Sequence, residues 1–538
     1  MRGLVIRVAL VVMGMGMIGI LGGLAQEPQH GGTLRWATRD IAPSLDPHHN
    51  MGYGQLPQYI AFNRLMHYNP DTLEIEPELA VSWEILEDNV SYVFHLRQGV
   101  KYHDGGTFNA YDAKWNFERM LSDYSQVRNR VEMIKEIEVI DGYTIKLVLE
   151  KPFGPFLDNL MTMGIRFVSP RAVEAMGNEA FQKHPVGTGP FKFAEWDEQK
   201  GVLTFEAFED YWGPKPKVEK LVFRYIPDAS TRIAALLAGE VHVIDAVPPH
   251  EMPRLERDPR VQVYQVTSLR PYRIEIFQHP VYGKEALQDK RVRLALNYAV
   301  PKEALVKGIF LDTAKIADSP IAFDTFGHVY CGEYSYDPEK ARQLLAEAGW
   351  EDTDGDGVVD KNGEPLELTF LVSEGAYFGD LQIAEAVAHY LRNIGVNVEI
   401  RKVERAATYG YWTCPPAEVE WDLTLRAFNP SNASGLYHLQ NEFLSNPDPN
   451  ESPWAWNVSR YSNPRVDELL RQATGTIDPE ARKQLLAEAQ KIIWDECPSI
   501  FLFVPNNIVA ARKEVTGIVV QPVMFVILKN VGFGGTSS

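Results

Sequence analysis

The sequence predicts an α/β protein with strands and helices interleaved along the whole chain. Three observations carry this. Segments 32–38, 92–97, 143–149, 201–208 and 218–226 are short runs of the alternating kind that makes strands. Between them lie segments with helical spacing and helical caps. No low-complexity tract or long flexible linker separates the two kinds, so the chain reads as compact domains with crossings between them.

In order, the strand at 32–38 ends in the turn Pro43-Ser-Leu-Asp-Pro47. The segment 109–122 is a helix: Asn109 can cap it, and Ala113, Phe117, Met120 and Leu121 share a face. A further helix is expected over 230–238. Two later helices start alike, Asp337-Pro338-Glu339 and Asp478-Pro479-Glu480, with Asp at the cap, Pro at the first helical position and a carboxylate in the first turn. Their flanks match at no repeat period, so shared helix chemistry explains the likeness. The apolar stretch 515–528 is broken by Gly517, Gln521 and Pro522 and reads as core strands.

Composition excludes several classes. The chain has 538 residues and a net charge of −19, with 53 basic against 72 acidic residues and no basic block. A nucleic-acid partner would need a positive face, so none is expected. At roughly 100–200 residues per domain the length allows about three to five domain-sized units. Three cysteines without a CxxC exclude a disulfide-dense scaffold and a cysteine zinc site. HExxH, GxSxG and the P-loop are all absent, which leaves a secreted hydrolase as a secondary alternative without a motif.

Residues 1–25 read as a cleaved secretory signal. Arg2 and Arg7 precede an apolar run, and Gly23-Leu24-Ala25 forms a small-residue cleavage site. The run of about 17 residues is short for a hydrocarbon core of about 30 Å. Gly14-Met15-Gly16-Met17-Ile18-Gly19 matches GxGxxG but lacks the strand, helix and acid of a dinucleotide site. Export places the protein in the periplasm or outside the cell, where thiols can pair. Three is odd, so one cysteine at least is unpaired within the chain. Cys331 and Cys414 lie in polar, turn-rich surroundings, and a Cys331–Cys414 bridge is the expectation. Sequence alone does not set connectivity.

Several ordered blocks carry a family resemblance. They are Leu79-Ala-Val-Ser-Trp83, the stretch from Tyr92 through Tyr102-His103-Asp104-Gly105 to Asp112, Pro185-Val-Gly-Thr-Gly-Pro-Phe191 with Asp210-Tyr-Trp-Gly213, and DKRVRLALNYA from Asp289 to Ala299. Together these resemble the family 5 extracellular solute-binding proteins of ABC importers, the oligopeptide- and dipeptide-binding group. The resemblance implies a periplasmic-binding-protein type II fold: two lobes, a hinge and an inserted subdomain, closing like a Venus flytrap. By that analogy lobe I takes 26–51, 185–269 and 505–538, the subdomain 52–184 and lobe II 270–504. It also implies a binding protein, not an enzyme, working as a monomer with an ABC permease and its ATPase. Within the blocks, Asp104-Gly105 is expected to make a turn with His103 structural, and Gly187-Thr188-Gly189-Pro190 a turn into a strand.

Ligand candidates cluster in lobe II. Tyr411, Trp412, Arg426, Phe428, Asn429, Ser431, Asn432 and Trp456 combine rings, a cation and amides. Trp421, Leu423 and Leu425 are expected to alternate into the core, leaving Arg426 and Phe428 at a strand end, where crevices form in open sheets. Peptide-binding relatives usually carry an aspartate just after this strand, against the peptide ammonium; here Ser431 stands in that place. That shifts weight from an oligopeptide toward a ligand without a free amine, such as an oligosaccharide stacked on Trp412, Trp454 or Trp456.

No cofactor is required. One loop does match calcium spacing: Asp352, Asp354, Asp356, the Val358 carbonyl and Asp360, with Gly357 at the turn. Position 12 is Gly363, and a strand follows instead of a helix. The alternatives are a structural calcium or a plain acidic connection.

Overall fold

The computed structural model describes residues 31–49, 54–446, 456–523, 526–528 and 530–534. The expected leader, 1–25, and Trp454 lie outside the described residues. A single 12-stranded sheet runs through the molecule. From one edge ten of its strands run in the order Asn397–Glu404, Glu367–Glu374, Leu423–Ala427, Tyr272–Ile276, Ser499–Arg512, Val243–Ile244, Thr33–Thr38, Lys220–Tyr225, Val202–Ala207 and Phe191–Asp197, and the other two, Val261–Thr267 and Ala314–Ile316, each pair with Ser499–Arg512.

The long strand Ser499–Arg512 joins the two halves. Its first part pairs with Tyr272–Ile276, from Glu275 opposite Ser499 to Tyr272 opposite Phe503. Its second part pairs with Val261–Thr267, from Thr267 opposite Asn506 to Val261 opposite Arg512. The change of partner falls at Pro505, Asn506 and Asn507, the one half-buried stretch inside this strand. Proline lacks the N–H that a continuous ladder needs. On either side the period-two alternation sorts side chains between cores. Ile500 and Leu502 enter one core with Ile274, Phe370 and Leu423, while Phe501 joins Trp494 and the helices behind it. Val509 and Ala511 face Leu34, Trp36 and Phe223, while Ile508 and Ala510 face Ile233 and Leu236. A waist thus separates two cores that share one strand.

A separate four-stranded sheet, in the order Ala80–Ile85, Ser91–Leu96, Thr144–Leu149, Ile134–Asp141, packs with helix Ala110–Leu121 around Phe94, Phe117, Ile145 and Leu147. The helix begins in a capping box: Asn109 Oδ1 accepts from the N–H groups of Tyr111 and Asp112, and Asp112 accepts from Asn109 N–H. Asp337 and Asp478 cap their helices by accepting from Lys340 N–H at 2.9 Å and Ala481 N–H at 2.7 Å.

One expectation is met and one is corrected. Trp421, Leu423 and Leu425 are buried in the core, and the intervening Thr424 and Arg426 are buried as well, because the strand is central and covered on both faces. The Cys331–Cys414 bridge is not formed, and all three cysteines are free thiols. Cys331 packs against the helical cluster that contains Trp494, whereas Cys414 follows helix Arg405–Thr413, with its Sγ at the Tyr411 carbonyl. Polar surroundings put both near the surface, but in different packing units.

Candidate ligand-binding cleft

The loop after Leu423–Ala427 runs through 428–434 into helix Gly435–Phe443. It lies against the four-stranded subdomain: Asn432 Nδ2 donates to the Asp158 carbonyl at 3.1 Å, and Ala433 N–H donates to the Tyr68 hydroxyl at 3.3 Å. Gly435 is required by close approach, since a Cβ there would lie 2.4 Å from the Phe326 carbonyl oxygen. Other contacts cross between the lobes. Arg405 Nη1 lies 3.9 Å from Asp40, and His250 stacks on Phe378 at 6.0 Å.

Four of the candidate residues come together. The Arg426 guanidinium sits 5.4 Å from the Trp412 ring, 5.3 Å from Trp456 and 6.0 Å from Phe428. Phe428 stacks on Tyr437 at 6.1 Å, and Trp456 meets Tyr409 edge-on at 5.8 Å. Trp412 is fixed by Nε1 donating to Thr424 Oγ1 at 3.0 Å. Such a box offers apolar area with few rotamers to freeze.

Arg426 itself is not free for a ligand. It donates to the Trp456 carbonyl and pairs with Glu442 at 3.0 Å, both groups being almost fully buried. Glu442 also pairs with Arg273, which reaches Glu275 at 2.6 Å; Ser499 Oγ donates to Glu275 at 2.7 Å. Two arginines and two glutamates balance each other under the ring cluster. Burial lowers the Arg426 pKa to about 10, so it keeps its charge at neutral pH. Burial and both arginines hold His438, next to Arg273, well below its usual range, and it is neutral.

The remaining candidates divide. Ser431 Oγ lies 3.2 Å from the Tyr437 hydroxyl. The Asn429 Oδ1 is buried and has no hydrogen-bond partner. Asn432 is occupied at both ends of its amide, by Asp158 and by Ser434 N–H, and anchors the loop. Tyr411 lies aside, its hydroxyl accepting from Arg401 at 3.4 Å. Reading the sequence missed Tyr437, Glu442, Arg273 and Glu275. The signal for two of them was available: Arg273 and Glu275 on one face of the otherwise apolar strand Tyr272–Ile276 require buried partners.

Elsewhere, His103 is structural. It accepts from Gly187 N–H at Nδ1, which leaves Nε2–H to donate to the Gly189 carbonyl at 2.9 Å; burial pulls its pKa to about 4. In the acidic loop, Asp352, Asp354 and Asp356 bring one oxygen each within 4.8 Å of one another, all exposed. Asp360 faces away, accepting from Thr353 N–H and Oγ1. Gly363 lies in the turn between the paired strands Asp360–Lys361 and Glu364–Pro365. Three of the expected carboxylates therefore converge, while Asp360 is engaged by Thr353.

Two cores joined by one long shared strand, with a separate four-stranded unit beside them, make the two-lobed α/β fold of a binding protein. Residues 74–450 match the model of the bacterial extracellular solute-binding proteins, family 5. The chain is 29% identical over 517 residues to the glutathione-binding protein GsiB of Pectobacterium atrosepticum, covering 90% of this chain and 93% of that one. It is 29% identical over 486 residues to the dipeptide-binding protein of Escherichia coli, covering 86% of each. The solved ABC transporter-associated periplasmic binding protein DppA of Helicobacter pylori, in complex with the peptide STSA, superposes with a TM-score of 0.76 at 26% identity, covering 94% of this chain and 99% of that one. This chain belongs to family 5 of the bacterial extracellular solute-binding proteins, the group that serves ABC importers.

Proposed function

We propose that the protein captures a peptide or peptide-like solute in the cleft and presents it, closed, to an ABC permease with its ATPase. The observation that carries this reading is the ring cluster of Trp412, Phe428, Trp456 and Tyr409 built over the buried Arg426–Glu442 pair beside the junction with the subdomain. Named relatives that bind glutathione, dipeptides and the peptide STSA support the ligand class. Ligand contacts across both lobes would favour the closed form, which is the signal a permease reads. In this reading the protein is exported, acts as a monomer and turns nothing over. No helix among the described residues is long and apolar enough to cross a membrane.

The test is native mass spectrometry of ligand retained through purification, then calorimetric titration with di- and tripeptides and with oligosaccharides. Peptide binding at micromolar affinity or better supports the reading. Binding of oligosaccharides alone replaces it, and turnover of a retained ligand revives the hydrolase. A structural calcium held by Asp352, Asp354 and Asp356 is a separate part of the reading, favoured by their convergence. It predicts a melting temperature higher in calcium than in chelator.

A further inference from the structure

In chain order the four-stranded subdomain lies between Thr33–Thr38 and Phe191–Asp197, two strands of the same half of the large sheet. It is held to that half by the buried pair of Arg119 with Asp46 and by Gly189 N–H, which donates to the Ala61 carbonyl at 3.0 Å. It has no chain connection of its own to lobe II. A hinge motion at the waist therefore carries the subdomain with lobe I, and makes or breaks whatever the subdomain touches in lobe II.

One such contact is made by backbone alone. Gly154, on the loop before helix Phe156–Leu160, donates its N–H to the Thr474 carbonyl at 2.7 Å. Thr474 lies in the last turn of helix Pro464–Gly475, where the final carbonyls have no partner inside the helix. The approach leaves no room for a side chain: a Cβ on Gly154 would lie 2.1 Å from the Thr476 carbonyl oxygen and 2.7 Å from Arg482 Nη1. Among the described residues, Gly154 is the one glycine pressed within 3 Å of the far side of the waist. Gly435, as close to Phe326, stays within lobe II.

Arg482 completes the contact. It is 6% exposed in the first turn of helix Pro479–Glu496, the helix end that favours anions. Its Nη1 donates to the Thr476 carbonyl at 3.2 Å, and its Nη2 lies 4.0 Å from Asp158 on the subdomain helix. The groups that answer this cation thus stand on both sides of the junction. Apolar packing crosses in the same place, since Ala322 and Ala433 of lobe II lie in one core with Phe156 and Leu160.

We propose that Gly154 and the helix end at Thr474–Thr476, with Arg482 reaching toward Asp158, form a latch outside the ligand site that sets how long the closed protein holds its solute. The inference rests on the capture reading above and adds affinity-determining positions that do not touch the ligand. A latch made of the protein's own groups favours closure before a ligand arrives, so fewer ligand contacts are needed to complete it. A side chain at 154 can be relieved by opening at the waist, so glycine is required there for closure.

The test uses the full chain, with glutathione, the dipeptide Met-Leu or, where neither binds, the tightest di- or tripeptide of the titration panel as probe. Without probe, small-angle scattering of wild type should fit the closed arrangement, and Gly154→Ala should enlarge the radius of gyration. In stopped-flow tryptophan fluorescence, Gly154→Ala should raise the dissociation rate of the probe at least tenfold and change its association rate less than threefold. Arg482→Met should move both readouts the same way by a smaller amount, and decides the matter where Gly154→Ala lowers the melting temperature. Variants that keep the wild-type radius and dissociation rate overturn the latch and leave the capture reading intact. Faster dissociation at an unchanged radius overturns it too, because the effect would then lie in the ligand site. A wild type that is open without probe also overturns it. A wild type that binds no probe or panel peptide overturns the capture reading and this inference with it.

Discussion

Replacing Glu442 with glutamine tests the floor of the cleft. The carboxylate is fully buried and bridges Arg273 and Arg426, whose side chains are 1% and 3% exposed. At 3.0 Å and an effective dielectric constant of about 20, one such pair is worth about 5 kcal/mol of gross attraction. Desolvation offsets much of that while the pair is intact, but not once one partner is neutral. Glutamine keeps the volume and leaves two buried cations facing Glu275 alone, so the expected loss is about 3–5 kcal/mol. Arg426 also holds the Trp456 carbonyl, so the ring cluster should loosen and ligand affinity fall. Urea unfolding followed by tryptophan fluorescence gives the stability change. A cycle of Glu442→Gln, Arg426→Met and the double variant isolates the pair. A coupling energy above about 2 kcal/mol is expected; one below about 0.5 kcal/mol would refute the network as described.

Four further outcomes follow from particular contacts. Asp478→Ala removes the cap on Ala481 N–H and should cost about 1 kcal/mol, read from the urea midpoint. Gly435→Ala places a Cβ against the Phe326 carbonyl and should lower the melting temperature; an unchanged value would show that the loop can move away. His48 and His103 have pKa values lowered to about 4 by burial. The unfolded chain therefore takes up their protons first as pH falls below about 6.5, and stability drops between about 6.5 and 4, by at most about 3 kcal/mol per ring. Asp158 and Asp112, raised to about 6 by burial, oppose this over the same range. The specific check is the gap between wild type and His103→Gln, which should narrow on acidification; a gap constant from pH 7 to pH 4.5 contradicts the neutral buried ring. Thiol titration of denatured, unreduced protein should find three free thiols, and reductant should leave the melting temperature unchanged.

What could be read from the sequence was what is decided locally. The caps at Asn109, Asp337 and Asp478 bind N–H groups two or three residues on, so spacing alone identifies them. Arg426 and Phe428 could be placed at a strand end because alternation sets the register. What was hidden depends on partners distant in the chain. Nothing near Arg426 shows that Glu442 will neutralise it, or that Glu442 is shared with Arg273 from another strand, so a structural arginine looked like a ligand anchor. The reason is charge. Buried arginines are expensive, and this fold meets them with carboxylates, as Glu442 meets Arg426, or with backbone carbonyls, as at Arg232 and Arg293. Held by Glu442 and by the Trp456 carbonyl, Arg426 is the support beneath the rings.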